Sequence, residues 1–176
     1  MKFTLQPYPN DELLPDIEIA GEIDRNGSQI TLQYTLLDRL ESVKIAALSD
    51  RPIRQDELWR TTCFECFLGV QSSPRYWEFN LSPAGHWNLY RFEDYRQGMQ
   101  VEMAWTTLPF EVEQSGDRLM LTLALNLDTI LSAETKFDVG ITTVIEDQKG
   151  GVSYWALTHR GEKPDFHQRD SFAIAL

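Results

Sequence analysis

The chain has 176 residues, 42% of them hydrophobic, and its 27 acidic side chains outnumber 16 basic ones to leave a formal net charge of -11. That length suits a single domain over residues 1–176, large enough to bury roughly 70% of its unfolded surface without disulfides. The eleven Arg and five Lys are scattered, which argues against nucleic acid or an anionic membrane as a partner, since both demand clustered positive charge.

Met1 to Pro7 holds one base and no apolar run of signal-peptide length. No stretch approaches the ~18 apolar residues of a membrane span, so a soluble, cytoplasmic protein is expected. Residues 11 to 24 carry Asp11, Glu12, Asp16, Glu18, Glu22 and Asp24 with no base among them. Apolar residues then alternate at period two through Ile17, Ile19 and Ile23, and through Ile30, Leu32, Tyr34 and Leu36. Half-buried strands have this period and amphipathic helices do not. The same alternation returns at Leu119, Leu121, Leu123 and Leu125 and at Phe137, Val139 and Ile141. Turn signals separate the runs at residues 24–27, 82–85, 114–117 and 147–151, where Gly and Asn supply positive φ. Only the stretches around 36–41 and 127–133 are expected as helical turns. The expected fold is therefore all-β, an antiparallel β-sandwich.

The central segment from Trp59 to Phe92 is the most informative. Thr62 to Val70 reads as a strand, which sends Cys63 and Cys66 to opposite faces and beyond the ~7 Å reach of a disulfide. No second Cys or His pair completes a zinc site, so both cysteines are expected as packed thiols. In the hairpin around Ser82 to His86, Trp77, Phe79 and Leu81 oppose Arg91, Leu89 and Trp87 and form the packing face. The other face carries Tyr76, Glu78 and Asn80 against Phe92, Tyr90 and Asn88. Pairing the preceding strand through its apolar row Phe64, Cys66 and Leu68 sets Glu65 opposite Asn80 and diagonal to Glu78. One outer face then gathers Trp59, Glu65, Glu78, Asn80, Asn88 and Tyr90. Flat rings among directional hydrogen-bonding groups suit a polar ligand with apolar C–H faces, of which sugars are the common example.

The runs Leu58 to Leu68, Tyr76 to Trp87 and Tyr90 to Phe92, with the ending Ser153 to Leu157, His159, Pro164 to His167 and Asp170 to Phe172, resemble bacterial DOMON-like proteins. These are related to the family 9 carbohydrate-binding modules. The resemblance implies a sandwich of jelly-roll type that binds a small carbohydrate without catalysis, the sugar clamped between two Trp rings. It implies Trp59 and Trp155 as the clamp, Glu65 as a hydroxyl partner, and Arg91 or Arg96 as the basic partner. Trp77 and Trp87 are expected in the core. Calcium occurs in the module family, but no D-x-D-x-D-G loop supports it here. Haem occurs in some DOMON relatives, and no motif ties Met99, Met103 and His86 together. No cofactor is therefore expected, and calcium stays open without a motif to support it.

Two alternatives stand beside the binding reading. Glu65 and Glu78, as diagonal neighbours ~7–8 Å apart at the backbone, could serve a glycosidase as acid and base; against this, exposed acids on an acidic protein need no special reason. The aromatic face could also be a protein contact with no small ligand. Asp165 and His167 share a face if their segment is extended, giving a carboxylate-oriented imidazole, although they and His159 read first as structural or solvent-facing groups. Tyr95 and Arg96 follow the central hairpin as a loop able to roof the site, unless Arg96 pairs with Glu93 or Asp94.

Overall fold

The computed structural model describes residues 1–9 and 16–176. Asp11 and Glu12 of the acidic segment lie outside the described residues. The strands form two antiparallel sheets packed face to face. One sheet has the order β1 (Lys2–Thr4), β3 (Ile17–Asn26), β4 (Gln29–Asp38), β10 (Arg118–Asn126) and β9 (Phe110–Ser115). The other runs from β2 (Gln6–Pro7) through β12 (Val152–Ala156), β11 (Phe137–Glu146), β5 (Cys63–Val70), β6 (Tyr76–Leu81) and β7 (Trp87–Phe92) to β8 (Gln100–Val101). The short β13 (Ile174–Ala175) also pairs with β11.

Hairpin chemistry fixes the registers. Asn26 pairs with Gln29 across a two-residue turn whose Gly27 has φ 60°, and Ser115 pairs with Arg118 around Gly116 at φ 58°. Such turns need positive φ, which glycine supplies without steric cost. With those registers set, Ile19 meets Leu36, Ile23 meets Leu32, and Leu121 meets Tyr34, so one apolar row per strand faces inward. Phe64, Cys66, Leu68, Trp77, Phe79, Leu89 and Ile141 of the larger sheet complete the core. Residues 127–133 make one helix-like turn, with Leu131 N–H bonded to the Leu127 carbonyl at 2.8 Å. Leu36 to Asp38 instead end β4, and the single 3-10 turns lie elsewhere, at Leu58–Arg60 and Arg169–Ser171.

The two sheets differ in what covers their outer faces. β4 alternates buried and partly exposed positions, whereas β5 and β6 are buried almost throughout. Their second face is covered by a separate cluster in which Phe67, Tyr76, Tyr90 and Phe92 pack with Phe172 of the C-terminal segment, and Trp59 and Phe166 join its rim. Two glycines make room for that segment. A Cβ on Gly69 would fall 2.0 Å from an Arg169 guanidinium nitrogen, and one on Gly140 would fall 2.8 Å from the Phe172 ring.

Candidate functional site

The outer rows of β5, β6 and β11 bring Glu65 opposite both Asn80 and Thr142, and Phe67 opposite both Glu78 and Gly140. Glu65 and Glu78 are thus diagonal neighbours, as the pattern predicts. They are not exposed acids: Glu65 is 2% accessible and Glu78 5%, because the C-terminal segment lies over this face. Each carboxyl is held on one oxygen. Thr142 Oγ1 donates to Glu65 Oε2 at 3.2 Å, and Asn80 Nδ2 donates to Glu78 Oε1 at 2.8 Å.

Three irregular segments raise walls around this pair. The 3-10 turn sets Trp59 with its ring centroid 5.7 Å from that of Tyr90, entered through Glu57 in the left-handed region at φ 59°. The loop after β7 folds back through the Glu93 N–H to Gln97 carbonyl bond at 3.0 Å, which places Arg96 at φ 52°. Left-handed backbone at a non-glycine residue is costly and survives where surrounding contacts enforce it; here it aims one wall residue and precedes the turn that carries another. The C-terminal segment supplies Pro164, Phe166 and His167. Together these groups enclose a cavity of about 340 Å³ that Phe92, Met99, Val144 and Tyr154 also line. Depressions of about 590 and 620 Å³ on other surfaces are lined by no buried ionisable side chain.

Hydrogen bonds position the His167 ring. The Arg96 backbone N–H donates to the Tyr76 hydroxyl at 3.2 Å, and that hydroxyl lies 2.8 Å from His167 Nδ1. The other ring nitrogen, Nε2, lies 3.9 Å from Glu78 Oε2. Burial, joined by the nearby Arg96 charge, lowers the imidazole to about 4 against a smaller opposing pull from Asp165. Burial raises Glu78 to about 7, against the Asn80 hydrogen bond and the Arg96 charge, which lower it. Glu65 is pushed well above the usual carboxylate range by burial and then by the Glu78 charge, only partly offset through Thr142. Burial thus favours the protonated carboxyls of Glu65 and Glu78 and a neutral imidazole on this floor.

Of the residues expected at the site, Trp59, Glu65, Glu78, Arg96 and His167 line this cavity. Trp155 does not. It pairs with Thr143 on the inner side of β12, is 5% exposed within the main core, and its Nε1 donates to Ser153 Oγ. A clamp of Trp59 with Trp155 is therefore excluded by strand parity, and the neighbouring Tyr154 faces the cavity instead. Either parity was open along Val152 to Ala156, because apolar side chains occur in both rows; only the register with β11 decides it. Arg91 also points to the packing side, opposite Trp77, where it donates to Gln100 and lies beside Glu93 and Glu102. Asn80 and Tyr90 lie beneath and beside the site: Asn80 orients Glu78, and the Tyr90 hydroxyl donates to Asp56 Oδ1 at 2.8 Å.

Arg96 pairs with Asp165 at 2.8 Å rather than with Glu93 or Asp94, and Tyr95 donates to the same carboxylate. Asp165 accepts the backbone N–H of His167 and does not orient its ring; Tyr76 does. His159 sits apart, with Nε2 2.9 Å from the Gln6 carbonyl. Met99 lines the cavity, while His86 Nδ1 accepts the Ile53 N–H. Among the described residues no three His, Cys, Asp or Glu side chains converge as a metal site. Trp77 and Trp87 are in the core, and Cys63 and Cys66 are buried on opposite faces of β5.

No family model matches this chain, and no curated protein matches it either. Solved structures do. A provisionally named carbohydrate-binding protein from Bacteroides uniformis aligns over 95% of this chain and 83% of its own, with a TM-score of 0.69 at 15% identity. A family 9 carbohydrate-binding module from Caldicellulosiruptor kristjanssonii, in complex with glucose, aligns over 93% of this chain and 78% of its own, with a TM-score of 0.54 at 10% identity. At those identities the likeness is one of fold, and the fold that this chain shares with them is the antiparallel β-sandwich.

Proposed function

We propose that the chain binds a small carbohydrate or sugar-like metabolite, without turning it over, in the cavity on the outer face of its larger sheet. The observation that carries this reading is the lining, where the Trp59, Tyr154 and Phe166 rings surround the hydrogen-bonding Glu65, Glu78, His167 and Arg96. Rings match the C–H faces of a pyranose, and protonated carboxyl groups both donate to and accept from hydroxyls. A volume of about 340 Å³ lies near the lower end of the ~300–1,000 Å³ range of ligand pockets, which favours a mono- or disaccharide. The shared fold with a module that holds glucose supports the same assignment.

Titration with glucose, xylose and cellobiose, followed by tryptophan fluorescence, tests it. Saturable binding in the ~μM to mM range is expected, weakened by about tenfold in Trp59→Ala. A panel of sugars without response overturns the reading. Turnover of aryl glycosides that Glu65→Gln abolishes would replace binding with hydrolysis, the acid and base being Glu65 and Glu78.

A further inference from the structure

We propose that the sugar taken by this cavity carries a basic amine, whose ammonium group sits between the Glu65 and Glu78 carboxyls. This rests on the carbohydrate reading and narrows its ligand class.

Three observations converge on it. Two carboxyl groups open on one enclosed space, and each keeps an oxygen available. Glu65, 2% exposed, uses Oε2 for Thr142, while its Oε1 has no hydrogen-bond partner among the described residues. Glu78 uses Oε1 for Asn80, and its Oε2 lies 3.9 Å from His167 Nε2, too far for a hydrogen bond. Second, the cations nearby are already committed or discharged. Arg96 is ion-paired with Asp165 at 2.8 Å, and burial keeps His167 neutral. Cys63, Tyr34, Tyr76 and Tyr90, further ionisable neighbours of the pair, are kept neutral by burial. Third, the walls are aromatic, with Trp59, Phe92, Tyr154 and Phe166 around the same space, and ring faces attract a cation.

Such a site lacks one positive charge. Empty, it retains protons because burial disfavours the charged carboxyls, with the Glu78 charge adding to the effect at Glu65. An ammonium group replaces that proton, donates to the available oxygens and is solvated by the rings. Its binding releases protons, and its affinity rises with pH until the amine loses its own proton.

Calorimetric titration of the full chain with glucosamine, glucose and N-acetylglucosamine, and with their galacto counterparts, tests this near neutral pH in two buffers of different ionisation heat. The amine is expected to bind at least about tenfold more tightly than the neutral sugars, with a heat that depends on the buffer. Glu78→Gln should erase the preference; should that variant not fold, the buffer dependence of the unaltered chain decides alone. Neutral sugars bound as tightly as the amine, or amine binding without proton release, overturn this inference and leave the carbohydrate reading in place. No binding of either class overturns that reading and this inference together.

Discussion

Glu78 couples the site to stability through one proton. Its carboxyl titrates near 4.5 when the chain is unfolded and near 7 in the fold. Between those values the native state holds a proton that the unfolded chain has released. The contribution of Glu78 is therefore complete below about 4.5 and is lost as pH rises through about 7. His167 has the opposite sign: it is neutral in the fold down to about 4, against 6.5 when free, so its contribution is present above 6.5 and lost as pH falls through 4. Comparing urea denaturation of the chain with that of Glu78→Gln isolates the first effect. The stability of the unaltered chain relative to the variant should fall between pH 4.5 and 7, by at most about 1.4 kcal/mol per pH unit; a flat difference contradicts the burial argument. The tryptophans separate at the same scale. Trp155→Ala should cost about 3–5 kcal/mol of stability because it empties core volume, whereas Trp59→Ala, at a half-buried rim, should leave the melting temperature nearly unchanged and reduce sugar binding.

At the scale of elements, the site belongs to the irregular segments. Strands β5, β6 and β11 supply the acids and their partners, but the enclosure comes from the 3-10 turn at Trp59, the loop carrying Arg96, and the C-terminal run from Pro164 to Phe172. That run is anchored by the Arg169 guanidinium, which donates to the Val70 and Arg75 carbonyls, and by Phe172 packed over Gly140. Replacing Gly140 by Ala forces a Cβ to within 2.8 Å of the Phe172 ring. Overpacking of this kind costs about 1–3 kcal/mol. Gly140→Ala should therefore lower the melting temperature and weaken sugar binding together, since Phe172 and His167 belong to one segment. Gly69→Ala displaces the Arg169 guanidinium from the Val70 and Arg75 carbonyls that anchor this run, and should shift both measurements in the same direction.

Over the whole molecule, protection follows the covering of the sheets. β5 and β6 are buried on both faces, while β9 and β8 are largely exposed. Hydrogen exchange should find the amides of β5 and β6 opening only with global unfolding and those of β8 and β9 exchanging by local opening. Equal protection of these four strands would contradict this picture. The acids thus sit on strands buried on both faces, while the walls stand on turns and loops.

How far the site can be read without coordinates depends on the kind of information each residue needs. The alternation of Phe64, Cys66 and Leu68 against Trp77, Phe79 and Leu81 determines the pairing of β5 with β6, because a one-residue slip would invert every side chain. From that alone come the sandwich, the diagonal placement of Glu65 and Glu78, and the association of Trp59 with their face. Burial of those acids is not in the pattern. It comes from a segment about a hundred residues further along the chain, admitted by Gly69 and Gly140, and period two is silent on what covers an outer face. Nor does a local pattern choose between Tyr154 and Trp155 when both rows of a strand are apolar. Sequence periodicity determined which residues share a face; long-range contacts decided which of those faces is closed over, and hence which carboxyls keep their protons.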